Sequence, residues 1–164
     1  MAITINRIEL AFPMAGAVLE KDFTSCGQQV KKYKTLLYSI ATNLGLNEKE
    51  SKELAEYVCV VGERNFAYQK EGFTLKTWLS KILVHNCIFT ISSCLFSQNS
   101  SLQTTNNDLI APLSKVPISF GTVYILFHSI GFTESEIAQI LNITPMQVKE
   151  RLAKAMMIIK SQGF

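Results

Sequence analysis

A chain of 164 residues with 48% hydrophobic side chains is long enough for one domain or two small ones, and it can build real cores. Its mean hydropathy of +0.18 is high, yet no uninterrupted apolar run approaches the ~18 residues that span a bilayer. A net charge of +3 and a pI near 8.7 permit nucleic-acid binding without demanding it.

The four cysteines, Cys26, Cys59, Cys87 and Cys94, form no C-x-x-C pair, and neither histidine sits beside one. Buried free thiols in a reducing compartment are the better reading than a zinc site. No paired carboxylates, nucleophile elbow or glycine-rich phosphate loop appears, so neither an enzyme nor a cofactor is expected. Ala11 to Leu19 is weakly apolar but holds Pro13 and Gly16, and Glu9 dilutes the basic region a signal peptide needs. The expected location is cytoplasmic.

Residues 1–27 form an extension without clear periodicity, in which Ile3-Thr4-Ile5-Asn6 suggests a short strand ended by Pro13. From Gln28 the pattern turns helical: Val30, Tyr33, Leu37, Ile40, Ala41 and Leu44 recur at three and four, and Gly45 marks the stop. Asn47 caps the next helix, with Glu48 and Glu50 in its first turn and Leu54, Ala55, Val58, Val61 and Gly62 on its apolar side. After a break at Lys70-Glu71-Gly72, a third helix is expected from about Thr74 to Cys94, with Leu75, Trp78, Leu79 and Ile82 on one face. Ser97 to Asn107 is polar, uncharged and rich in turn-formers, and reads as a flexible linker.

Gly131 to Lys160 contains two helix starts. Thr133-Glu134-Ser135-Glu136 is a capping box, and Thr144-Pro145-Met146-Gln147 repeats the device with proline at the first helical position. The short helix between them, Glu134 to Leu141, is closed by Asn142, which tolerates a left-handed turn. Val148, Leu152, Ala155, Met156 and Ile159 form one stripe of the second helix. Short helix, tight turn and longer helix make a helix-turn-helix.

Here the order Glu136-Ile137-Ala138, Leu141-Asn142-Ile143 and Val148-Lys149-x-Arg151-Leu152-x-Lys154-Ala155 resembles the promoter-reading C-terminal domain of bacterial RNA polymerase sigma factors of the extracytoplasmic-function class. Val116-Pro117-Ile118 through Val123-Tyr124-Ile125-Leu126-Phe127 to Gly131 resembles the helix that opens that domain. Upstream, Ser51-Lys52-Glu53-Leu54-Ala55-Glu56-Tyr57-Val58 is similar to the family's polymerase-contact helix. Phe73-x-x-Lys76-Thr77-Trp78-Leu79-Ser80-Lys81-Ile82 is similar to its tryptophan-leucine helix.

The resemblance implies an all-α protein of two small helical domains: residues 28–96, a linker at 97–111, and a helix-turn-helix domain at 112–164. It implies a monomeric transcription initiation factor whose partners are core RNA polymerase, promoter DNA and an anti-sigma factor. Glu53, Leu54, Glu56 and Tyr57 would then contact polymerase. Lys76, Lys81 and Asn86 would contact the melted promoter element. Gln147, Lys149, Arg151 and Lys154 would contact an upstream element, with the three cations on phosphate and Gln147 near a base.

The likeness breaks at four positions. Phe89 and Ser92 stand where the family carries an Asp and an Arg, Glu150 stands for a small hydroxyl residue, and Met156 stands for an arginine. Fewer cations neutralise fewer phosphates. Glu150 would be repelled by phosphate unless it accepts from a cytosine amino group. These departures motivate a second reading, a sigma-like interaction or regulatory module that no longer melts promoter DNA.

Overall fold

Local chemistry decides where each helix begins, and the helices then decide the core. The computed structural model of the protein describes residues 23–66, 72–96 and 116–162. The suggested strand near Ile3 and the linker after Ser97 lie outside the described residues. Within them, seven α-helices and one wide helical turn occur and no strand, in keeping with the expected all-α class.

The periodic run from Gln28 to Leu44 is two helices rather than one. Helix α1 spans Phe23–Lys31 and α2 spans Lys34–Asn43, and at the break the Tyr33 N–H reaches the Val30 carbonyl at 3.0 Å. Val30, Leu37, Ile40 and Ala41 are fully buried on both sides of the break. The interruption keeps the apolar stripe in phase, and so the three-and-four spacing runs through it unmarked.

Helix α2 ends in a Schellman motif. Gly45 takes φ +103°, the Leu46 N–H reaches the Ala41 carbonyl at 3.2 Å, and the Gly45 N–H reaches Thr42 at 3.1 Å. Two residues later α3 (Glu48–Arg64) starts at the expected Asn47, whose side chain accepts from the Glu50 N–H at 2.9 Å. At Gly62 a Cβ would lie 2.5 Å from Leu79 Cδ2, so any larger residue where α3 crosses the next helix would force Leu79 to move.

That next helix, α4 (Leu75–Phe96), is the centre of the molecule. Trp78, Leu79, Ile82, Leu83, Val84 and Cys87 are buried around most of its circumference, because α2 and α3 cover one side and the later helix Glu134–Leu141 the other. Two buried thiols follow from this packing. Burial raises Cys59 above the ordinary thiol value and pushes Cys87 up to about 12, so both stay neutral.

The C-terminal half opens with α5 (Ile118–Tyr124), which widens into a π turn over Ile125–Ser129 before Gly131 turns the chain at φ +80°. Then come α6 (Glu134–Leu141) and α7 (Pro145–Ser161). Phe132, Ile137, Ile140 and Val148 from this half join Leu37, Leu79 and Leu83 from the other in one continuous apolar cluster. The two halves share a core.

Candidate nucleic-acid interface

The α6–turn–α7 unit is built by the two caps read from the sequence. Thr133 Oγ1 accepts from the Glu136 N–H at 3.2 Å, while Glu136 Oε2 accepts from the Thr133 N–H at 2.9 Å. Thr144 Oγ1 accepts from the Gln147 N–H at 3.2 Å, and Gln147 Oε1 accepts from the Thr144 N–H at 2.9 Å. Between them Asn142 adopts φ +54°, and the Ile143 N–H closes the turn on the Ala138 carbonyl at 3.0 Å. A short polar side chain fits this left-handed position better than any branched one.

Helix α7 buries Val148 and Ala155 and half-buries Leu152 and Ile159 against α5 and α6. Its opposite face is left to solvent. Met146 and Met157 are 66% and 70% exposed there, with Glu150 and Ala153 between them. Lys149, Lys154 and Lys160 are also exposed, and Arg151 is half-buried. Lys149 makes one long ion pair to Glu134 at 3.5 Å, and Lys154 lies 5.7 Å from the centre of the Phe120 ring. These contacts are loose enough for another partner to take over the cations. Of the four residues expected to face an upstream element, Gln147 is the constrained one. Its amide oxygen is occupied by the cap, which leaves its amino group to donate.

The residues expected on α4 are placed differently. Lys76 donates to Glu136 Oε1 at 3.2 Å and stacks 4.2 Å above the Phe132 ring centre, so the C-terminal half grips it from two sides. Burial alone would raise the Glu136 carboxyl, but bonds from the Thr133 N–H, the Thr133 hydroxyl and the Lys76 ammonium outweigh it and hold the group below its ordinary value. Nine residues along α4, His85 Nε2 lies 3.1 Å from the Ile140 carbonyl. A carbonyl only accepts, which makes Nε2 the protonated nitrogen. Lys76 and His85 thus hold both ends of α6. Lys81 lies 5.3 Å from the Phe73 ring centre, and Asn86 donates to its own helix, to the Ile82 carbonyl at 2.8 Å. Phe89 is exposed and Ser92 is half-buried on the same helix.

On α3, Glu53 and Glu56 point outward and Tyr57 is half-buried, whereas Leu54 is 4% exposed and packs in the core. A side chain that faces inward cannot touch a partner, which corrects the expectation for Leu54. Glu56 bonds Lys34 of α2 at 2.8 Å; this contact lowers the Glu56 carboxyl and raises the Lys34 ammonium. The grip of α4 on α6 is what sequence reasoning missed. Its partners are 60 and 55 residues apart, and no local pattern signals them.

No protein-family model and no curated protein sequence matches the chain significantly. Solved structures do. The chain is similar to CnrH in its complex with the cytosolic domain of CnrY, with a TM-score of 0.68 at 17% identity over 85% of this chain and 87% of that one. It is also similar to the sigma factor RpoE of Bartonella quintana in complex with the anti-sigma factor NepR, with a TM-score of 0.67 at 19% identity over 86% of this chain and 96% of that one. At such identities the likeness is one of fold, and the fold is sigma-like.

Proposed function

We propose that the protein is a transcription initiation factor of the extracytoplasmic-function sigma type, acting in the cytoplasm by binding core RNA polymerase and promoter DNA. The observation that carries this reading is the solvent face of α7, which sets Lys149, Arg151 and Lys154 around an exposed stripe on a helix-turn-helix within a sigma-like fold. A recognition helix needs such a face. Cations hold register on phosphate, and the side chains between them meet base edges.

In this reading the residues 28–96 segment docks on polymerase through Glu53, Glu56 and Tyr57 of α3, and the residues 112–164 segment reads the upstream element. No bond is made or broken. Binding energy and DNA deformation are the whole mechanism. An anti-sigma factor is the regulatory partner proposed, because RpoE is bound by one.

A second reading has its own support. Lys76 is engaged by Glu136 and Phe132, and Phe89 is exposed on a stretch of α4 that carries no charged residue. A sigma-like protein that recruits partners without melting DNA would have such a surface. Pull-down of core RNA polymerase by the full chain, then salt-titrated retention of promoter fragments by the complex, separates the two. Salt-sensitive, sequence-dependent retention supports the initiation factor. Association with polymerase alone supports the interaction module, and no association overturns both.

A further inference from the structure

The exposed face of α7 has an order that a merely solvated helix does not need. At 3.6 residues per turn, Met146, Glu150, Ala153 and Met157 fall on one line opposite the buried Val148 and Ala155. Lys149 and Lys160 lie along one side of that line, and Lys154 and Arg151 lie along the other. The two methionines on that line, and Met156 beside Lys149 and Lys160, gain nothing from solvent, and Glu150 is the one anion among four cations on α7.

A cationic row on each side of a line of apolar groups and one carboxylate matches the cross-section of a major groove: two phosphate walls with base edges between them. The N-terminal turns of a recognition helix lie deepest in that groove, which selects Met146 and Glu150 as the groups that meet bases. In the major groove the one apolar group is the thymine C5-methyl, and the amino group of cytosine N4 is a donor that suits a carboxylate. A thioether chain has the flexibility to close on a methyl.

We infer that Met146 and Glu150 set base specificity, with Met146 packing on a thymine methyl and Glu150 accepting from a neighbouring cytosine N4 amino group. The occupant is duplex DNA carrying a thymine and a cytosine within one turn of the helix. This rests on the promoter-reading proposal and adds the bases that are read. It also accounts for a carboxylate at the centre of a phosphate-facing helix, where repulsion would otherwise weaken binding.

The test begins with selection of a random-sequence duplex library on the full chain with core RNA polymerase. Each thymine of the enriched element is then replaced by deoxyuridine, which removes one methyl and leaves every hydrogen bond intact. One such replacement is expected to weaken binding about fourfold, the value of one buried methyl group. Met146→Ala should lower affinity for the thymine duplex and erase the difference between thymine and uracil. Glu150→Gln should reduce the cytosine preference at least about fivefold and favour adenine there, because an amide both donates and accepts. An element indifferent to deoxyuridine at every position, or a thymine preference that survives in Met146→Ala, overturns the inference and leaves promoter reading standing. Selection without any enriched sequence overturns promoter reading itself. The deoxyuridine arm alters only the DNA and does not depend on the variants folding.

Discussion

Lys76 on α4 and Lys154 on α7 are both lysines that the sequence leads us to expect against DNA, and the protein treats them in opposite ways. Lys76 is held by a carboxylate at 3.2 Å and a ring at 4.2 Å, both from the other half of the chain. Lys154 is exposed, with a ring 5.7 Å away. The α4 cation is part of how the halves dock, and the α7 cation is available to a ligand. Identical side chains carry different roles because α4 is wrapped by neighbours on most sides, while α7 is covered on one.

The largest way to break this contrast is to remove the ring that Lys76 stacks on. Phe132 is fully enclosed where α4 meets the C-terminal half. Phe132→Ala should cost about 3–5 kcal/mol in urea unfolding, since it deletes a large buried side chain and leaves a cavity. Lysine acylation of the variant should rise at Lys76 and stay level at Lys154. A cost below about 1 kcal/mol would mean that the halves do not depend on each other for stability.

The α7 side of the contrast is sharpened by charge. The triple variant Lys149→Ala, Arg151→Ala, Lys154→Ala should keep the wild-type melting temperature to within a few degrees, because none of the three is buried. Its affinity for duplex DNA with core polymerase should fall roughly tenfold or more, and the slope of log affinity against log salt should drop by about 3. Lys76→Ala should leave that slope unchanged as long as Glu136 occupies the lysine. An equal change in both variants would erase the distinction between the two faces.

A smaller effect concerns the turn that aims α7. Asn142→Ala forces a Cβ-bearing residue without a local hydrogen-bonding side chain into φ +54°, and should cost about 1 kcal/mol. Asn142→Gly, measured by the same thermal melt, should be close to neutral, since glycine reaches that region freely.

These comparisons also mark what a single chain reveals before it folds. Asn47, Thr133, Thr144 and Asn142 were legible because caps and left-handed turns are local. The side chain and the N–H it satisfies lie within three residues, as in the 2.9 Å bond from the Glu50 N–H to Asn47. The solvent face of α7 was legible for the same reason, except at Met156, which the spacing put on the apolar stripe and which is 37% exposed. The break at Lys32-Tyr33 was not, because it preserves the apolar phase, and the π turn at Ile125–Ser129 leaves no compositional trace. Leu54 was misread because its helix was assigned a surface role by resemblance, although its spacing had already put it on the apolar side. Least legible was the fate of Lys76. Whether a cation is free or held depends on which residues arrive 60 positions later.

The finest test of the contrast is Glu136→Gln. Glutamine keeps the capping geometry, because its amide oxygen still accepts from the Thr133 N–H, so the change isolates charge: the pair with Lys76 and the favourable placement at the start of α6. Both groups are partly exposed, which holds the expected loss to about 0.5 kcal/mol at neutral pH. The folded carboxyl is depressed, so its contribution is fully present above the unfolded value of about 4.3 and is lost as pH falls through the lower folded value. Wild type and variant should therefore differ in urea midpoint at pH 7 and converge only once pH has fallen through the depressed folded value. A difference that persists undiminished at pH 3 would show that shape rather than charge holds Glu136 against Lys76. In that case α4 and α6 are docked by packing and the His85 bond, and the α4 cation would be no more committed than those of α7.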